Sequence, residues 1–334
     1  MKFVTRGALK RLAVLFALLA LLGFAAWWML MRMPGRSFEG AGGAGDPALV
    51  AELRRDVERL AGAIGERNVF RPAALDAAAQ WIEAELAAAG YAPARQTYEA
   101  SRTPCSNLEA EVSGGSEIVV VGAHYDSVAG SPGANDNATG VAATLALARR
   151  FAGRASGRTL RFLFFVNEEP PWFQKGDMGS LRYARRCRER GDDVVAMLSL
   201  ETLGCFLDGA QTQRYPIRGL DLIYGDRGNF TGFVGDVASR ELVRDAVGVF
   251  REHARIPSEG IALWDGVPGV GWSDHWAFWQ CGYRAIMVTD TAPFRYPHYH
   301  KPADTPDRLD YDGLAHVVAG LLPVVTDLAG VAGR

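Results

Sequence analysis

The sequence predicts an α/β protein of three layers, a mostly parallel mixed central sheet with helices on both faces. Short apolar runs alternate with helical periodicities along most of the chain, as in a sheet wrapped by its own connections. Thr159–Val166 (TLRFLFFV) is apolar almost throughout, the pattern of a strand buried on both sides. A second apolar strand, ending at Ala123, leads into a Gly/Pro/Ser loop and then an Ala-rich helix from Thr139.

The elements follow in order. Lys2, Arg6, Lys10 and Arg11 precede an apolar run from Leu12 to Met31, about the 20 residues that span a bilayer. Trp27 and Trp28 stand near its far end, where interfacial aromatics collect. A cleaved signal peptide has a shorter apolar region and a small-residue cleavage site, which this run lacks. Residues 1–32 are therefore expected to form a cytoplasmic stub and a single-pass signal anchor, with the body periplasmic or extracellular. Gly-rich residues 33–47 read as a flexible linker, and 48–334 as one folded domain. Leu49, Leu53, Val57, Leu60 and Ile64 recur at helical spacing, as do Leu75, Ala79, Ile82 and Leu86 after Pro72.

Strands are expected over 91–99 and 107–112, with a turn at Gly114-Gly115, and helices over 140–151 and 178–190. A strand over 194–201 follows. Residues 206–233 show no period and read as an irregular insert shaping a pocket. A helix over 240–254, a short strand over 261–264, a helix over 276–281, a strand over 284–289 and a closing helix over 311–328 complete the chain. No internal repeat is visible.

Hydrophobic residues make up 49% of the 334 and charged residues 22%, which suits a folded core. A formal net charge of −2 removes any general electrostatic argument for nucleic-acid binding. The four cysteines, Cys105, Cys187, Cys205 and Cys281, form no C-x-x-C pair, so a zinc ribbon or thioredoxin motif is not expected. One or two disulfides stay open.

Three successive strands end in imidazole or carboxylate groups: His124, then Glu168 and Glu169, then Glu201. Ligands of an α/β sheet gather beyond the carboxyl ends of its strands. Asp136 lies in the loop after the first of these strands, and His298 and His300 in a late loop. Carboxylates mixed with imidazole suit zinc or another divalent first-row ion. Asp126, two residues beyond His124, is placed to accept the second imidazole N–H and fix its tautomer.

The motifs HYDS…GANDNATG, NEEPP, LETLG, SDHWAFWQCGYRA and YHKPADTPDRL, spread in order from His124 to Asp307, resemble the co-catalytic zinc exopeptidase family. Bacterial zinc aminopeptidases, glutamate carboxypeptidase II and glutaminyl cyclase are its members. The resemblance implies a phosphorylase-hydrolase-like fold and two zinc ions bridged by Asp136, one shared by His124 and Glu201 and the other by Glu169 and His300. It implies Glu168 as general base, Tyr299 as an oxyanion donor, and Asp274 and His275 as supports behind the ligands. His298 is the rival to His300. A cis peptide is expected at Asp136–Asn137. Many members carry Asp where this chain has Glu201, which puts the geometry of that ion in doubt.

The function so implied is a membrane-anchored metallopeptidase acting on peptide or amino-acyl substrates at chain ends, most readily an aminopeptidase. Trp172, Phe173, Phe206, Trp264 and Trp272 are candidates for a side-chain pocket. A carboxypeptidase would offer Arg214, Arg227 or Arg295 to a terminal carboxylate. A one-zinc glutaminyl cyclase and a receptor-like ectodomain without metal are the alternatives from other classes.

Overall fold

The computed structural model describes residues 5–40 and 42–331, with the side chains of 25–30 also outside the description. Lys2, Trp27 and Trp28 therefore lie outside the described residues. Ten α-helices, among the described residues, run α1 (Arg6–Met31), α2 (Pro47–Val57), α3 (Pro72–Ala88), α4 (Thr139–Phe151), α5 (Gly179–Arg190), α6 (Asp221–Tyr224), α7 (Arg240–His253), α8 (His275–Gln280), α9 (Ala292–Arg295) and α10 (Tyr311–Ala329). Eight strands run β1 (Ala94–Ala100), β2 (Thr103–Val112), β3 (Gly115–His124), β4 (Arg158–Phe165), β5 (Asp193–Glu201), β6 (Thr231–Asp236), β7 (Ser258–Leu263) and β8 (Ala285–Thr289).

The strands form one sheet in the order β1-β2-β4-β3-β5-β8-β6-β7. The central run β4-β3-β5-β8 is parallel, and β6-β7 pair parallel with each other but antiparallel to β8. The hairpin β1-β2 and its junction with β4 are antiparallel. The expected mixed, mainly parallel α/β sheet is therefore what forms.

Alternation along each strand sorts the two faces. Val119, Val121, Leu160, Phe162, Phe164, Leu198 and Leu200 join the larger core under α2, α3, α4, α7 and α10. Ile118, Val120, Leu163, Phe165 and Met197 turn the other way, against Tyr183 of α5 and Phe278 of α8. Each such fully buried Leu or Phe contributes about 2 kcal/mol relative to exposure. Gly140 lets α4 approach β5, since a Cβ there would lie 2.2 Å from the Leu200 carbonyl oxygen.

The second face is not covered to its end. Beyond α8, among the described residues, no long helix packs on this face of β6-β7, and Gly232, Val234, Ile261, Leu263, Met287 and Thr289 line a cavity instead. Its roof comes from the insert, through Gln213, Tyr215, Pro216, Leu220 and Tyr224. The expectation of an irregular stretch over 206–233 needs correction at its end, where β6 begins at Thr231. Gly232 and Gly235 interrupt the apolar pattern that would have marked a strand.

α1 is exposed from Arg6 to Phe24, and an 18-residue window of that stretch has a mean hydropathy of 1.9. α10 is apolar enough to pass the same length test, yet more than half of it is buried in the core. Residues 33–47, expected as a flexible linker, lie along the body. Met33 is buried, the Ser258 N–H donates to Ser37 Oγ at 2.8 Å, and the Gly45 N–H donates to Asp312 Oδ1 at 2.8 Å. All four cysteines are free thiols.

Candidate metal centre

Parallel strands in register end together. His124 pairs with Phe165, so the end of β3 lies beside the end of β4, while Val121 pairs with Leu198 of β5 and Glu201 pairs with Thr289 of β8. His124, the Glu168-Glu169 turn and Glu201 are delivered to one sheet edge by that geometry. Asp136 arrives from the turn before α4, and His300 from the loop after α9.

The structure gathers two donor groups that share one residue. His124, Asp136 and Glu201 form the first, and Asp136, Glu169 and His300 the second, each with donor atoms within 4.8 Å of one another. His124 Nε2 lies 3.2 Å from Glu201 Oε2 and 3.4 Å from Asp136 Oδ1. His300 Nε2 lies 3.0 Å from Asp136 Oδ2 and 3.3 Å from Glu169 Oε2. Ligand atoms 2.0–2.2 Å from a tetrahedral zinc stand about 3.4 Å apart, which is this spacing. Asp136 Oδ1 is buried without a hydrogen-bond partner, as expected of an atom kept for an ion. The residues present therefore fit zinc.

Electrostatics agree. Burial works against the charge of Asp136, but the imidazoles of His124 and His300 overcome it and hold the carboxyl well below the usual range. Burial, then the Asp136 charge, pushes Glu169 up to about 7, and burial raises Glu201 and Glu168. Burial opposes a charge on His300, yet Asp136 and Glu169 raise it to about 10; His124 is raised well above its ordinary value against the same penalty, by Glu201, Asp126 and Asp136. These shifts mark an excess of buried negative charge that protons relieve in part and divalent cations relieve fully.

Asp126 does more than sequence alone suggested. Its carboxylate accepts the N–H groups of Glu168 and Glu169, each at 3.2 Å. His124 Nδ1 instead meets the Asp126 main-chain oxygen at 3.2 Å, with Oδ1 farther at 3.5 Å. A parallel device holds the bridging residue, for Asp304 accepts the N–H of Asn135 at 2.8 Å and of Asp136 at 3.2 Å. The peptide after Asp136 is cis, as expected.

Glu168 carries its Oε2 4.0 Å from His124 Nε2 and belongs to neither donor group. Asp274 is fully buried, and burial pushes it up to about 7 beside the fields of His124 and Glu201. His275 departs from the expected supporting position. Its Nε2 meets the Val270 carbonyl at 2.7 Å and its ring stands edge-on to Trp279, so it ties α8 to the preceding loop. The neighbouring Ser273 takes the supporting place, donating to Glu201 Oε2 at 2.7 Å. Tyr299 stacks on His300 with ring centroids 3.8 Å apart and lines the cavity beside Glu201. His298 packs against Tyr296 and joins neither donor group.

Several supporting residues escaped sequence reasoning. Arg67 is fully buried and donates to the carbonyls of Gly65, Tyr125, Pro132 and Gly133, pinning the loop between His124 and Asp136. Asp290 accepts from Asn135 Nδ2 at 2.9 Å and from the Cys205 N–H at 2.8 Å. Asn137 Nδ2 donates to the Leu200 carbonyl at 2.8 Å. Asp304 lies inside a motif already singled out, whereas nothing near Arg67 in sequence signals its role. Of the pocket candidates, Trp272 lines the cavity, Trp264 is 72% exposed, and Trp172 and Phe206 pack on the core.

A mixed α/β sheet with an imidazole and carboxylates at its strand ends, completed by a shared carboxylate and a second imidazole from adjoining loops, has the architecture of a metal-dependent hydrolase. The model of peptidase family M28 matches residues 107–325, and the chain belongs to that family. It is 30% identical to the Escherichia coli protein YfbL over 288 residues, covering 82% of this chain and 87% of that one. It is 26% identical to a probable leucine aminopeptidase of Arthroderma otae, over 67% of this chain but only 56% of that protein's length. The fold is that of the Bacillus subtilis zinc aminopeptidase BSAP (TM-score 0.65, 14% identity, 84% of this chain and 95% of that). The glutaminyl cyclase of Fimbriiglobus ruber shares it too (TM-score 0.61, 18% identity, 88% and 99%). The chain is thus a peptidase of family M28, a hydrolase.

Proposed function

We propose that the chain is a membrane-anchored aminopeptidase with two zinc ions, held as His124-Asp136-Glu201 and Asp136-Glu169-His300. The observation that carries this is Asp136, whose two oxygens face different imidazoles and so serve both groups. When bound, such a pair of ions polarises the scissile carbonyl and acidifies a water. Glu168 takes the water's proton on its free carboxylate and delivers it to the leaving amine. Asp126 fixes Glu168 through its N–H, so the base stands in place before substrate arrives. Tyr299 stays protonated, its pKa raised by burial and by the surrounding carboxylates, and donates to the developing oxyanion.

The excess of carboxylates favours a substrate's free ammonium at this end. The apolar cavity beside Glu201 and Tyr299, with about 860 Å³ of empty space including its open mouth, takes the first side chain. The carboxypeptidase reading loses its anchors. Arg295 is buried and spent on Gln213 and on the carbonyls of Cys205 and Phe230, and Arg227 donates to the Asp208 carbonyl. Only Arg214 reaches the cavity wall. α1 anchors the chain, with the body on the outer side of the membrane.

The test uses the full chain in detergent. Zinc per chain is measured, and aminoacyl-anilides are compared with N-blocked dipeptides and with N-terminal glutaminyl peptides. Two zinc and turnover of the free-amine anilides are expected. Ring closure of the glutaminyl peptides with one zinc, or no turnover of any of them, overturns the reading.

A further inference from the structure

Outside α1, three of the seven exposed large apolar side chains among the described residues fall within one short stretch, and one of them is the most exposed of all. Leu222 is 88% exposed, Ile223 43% and Ile217 40%, all on α6 or just before it. α6 is four residues long, so its apolar exposure does not come from a helix that merely needs a buried face elsewhere. Its own anchor faces inward: Tyr224 lines the cavity, packs tilted against Tyr215 with ring centroids 6.2 Å apart, and donates its hydroxyl to the Gly260 carbonyl at 3.3 Å.

Gly260 lies on β7, the free edge of the sheet. The same glycine receives the end of the N-terminal segment, for a Cβ on it would lie 2.9 Å from Met33 Sδ. Arg251 Nη1 donates to the Pro34 carbonyl at 3.1 Å, and Arg244 Nη1 to the Arg32 carbonyl. The chain leaving α1 is thus tied to β7 and α7 within two or three residues of the helix end. Leu222 and Ile223 sit on the element that meets the same edge strand. Arg218 follows Ile217 and Arg32 precedes Met33, and both arginines are exposed, as suits anionic headgroups.

We infer that α6 and its flank, through Ile217, Leu222 and Ile223, form a second membrane contact seated in the headgroup interface beside the exit of α1. The inference rests on the reading of α1 as a membrane anchor. A body tied this closely to its anchor is held at the bilayer surface, where exposed Leu and Ile are favoured to leave water. Because Tyr215, Leu220 and Tyr224 roof the cavity, the contact turns the substrate pocket's roof toward the lipid. Peptides lying at the interface then have the shortest path to the site.

The experiment places an environment-sensitive fluorophore on single cysteines of the full chain with Cys281→Ser, reconstituted in vesicles of phosphatidylethanolamine and phosphatidylglycerol. Leu222→Cys is compared with Leu15→Cys on α1 and with Ala94→Cys on β1, the opposite edge of the sheet. Blue-shifted emission at positions 15 and 222, lost with brominated lipid, and water-like emission at 94 are expected. Lipid exposure at 15 with water-like emission at 222 overturns the second contact and leaves the anchor standing. Water-like emission at both overturns the anchor and the contact together. A blue-shifted label at 222 that brominated lipid leaves bright puts a protein there, such as a second copy of this chain, and overturns the inference.

Discussion

Asp126 and Glu168 are joined through the backbone: the Glu168 N–H donates to Asp126 Oδ1 at 3.2 Å, and Oδ2 accepts the next N–H at the same distance. One carboxylate thereby sets where the proposed base and the proposed metal ligand begin, while its own main-chain oxygen faces His124.

Asp126→Ala releases the Glu168-Glu169 turn, while the main-chain oxygen that faces His124 stays in place. Loss of such a supporting group costs 10–100-fold in metal affinity or activity. Zinc titration and turnover, measured in parallel, are expected to fall by about that factor each. A variant that keeps both within about twofold contradicts the positioning role.

Glu168→Gln keeps the shape of the turn and removes the proton acceptor. Turnover is expected to drop by about 10²–10⁴, the range for a lost general base. Zinc per chain, read by elemental analysis, should stay unchanged because Glu168 lies in neither donor group. Full activity in this variant would assign the base elsewhere.

Arg67→Met leaves the carbonyls of Tyr125, Pro132 and Gly133 without their buried donor. Each stranded buried acceptor costs about 1–3 kcal/mol. Denaturant unfolding of the metal-free chain should show a loss of about 3 kcal/mol or more, and zinc should bind more weakly. An unchanged midpoint would mean that water replaces the guanidinium without cost.

His275 gives the metal-free protein a dependence on acid. Burial lowers its pKa to about 4 in the fold, against about 6.5 when unfolded. Its contribution is fully present above pH 6.5 and is lost as pH falls toward 4, because only the unfolded chain takes up the proton in that window. The linkage amounts to about 2 kcal/mol by pH 5. Unfolding at pH 7 and pH 5 should show a smaller pH loss for His275→Gln than for the unmodified chain. Equal losses would refute the assignment.

Val234→Trp places a ring in the cavity between β6 and the insert. If that cavity takes the substrate's first side chain, kcat/KM for leucyl-anilide should fall about 10–100-fold while alanyl-anilide is nearly spared, since shape exclusion in an apolar pocket is worth a few kcal/mol. An equal loss for both substrates would move the specificity pocket elsewhere.

Much of the sheet was legible because its strands carry local signals. The apolar runs ending at His124, Val166 and Glu201 announce themselves, and so do the polar groups directly after them. β6 was not legible, since Gly232 and Gly235 remove the alternation and its pairing with β8 is supplied from 51 to 57 residues away. The linker was misjudged for a related reason. Gly-rich composition predicts freedom, but Arg251, Ser258 and Asp312 hold 33–47 against the body.

What the sequence determines by itself is the set of donors and the order in which strands present them, because strand patterning and strand-end chemistry are written within a few residues. Tertiary structure alone decides which oxygens face which imidazoles and that Asp126 grips the Glu168-Glu169 turn. It also decides that Ser273, not His275, steadies Glu201, and that the sheet face beyond α8 stays open as a cavity. Those outcomes depend on contacts between segments that folding brings together from far apart in the chain. No local period or propensity encodes such distances.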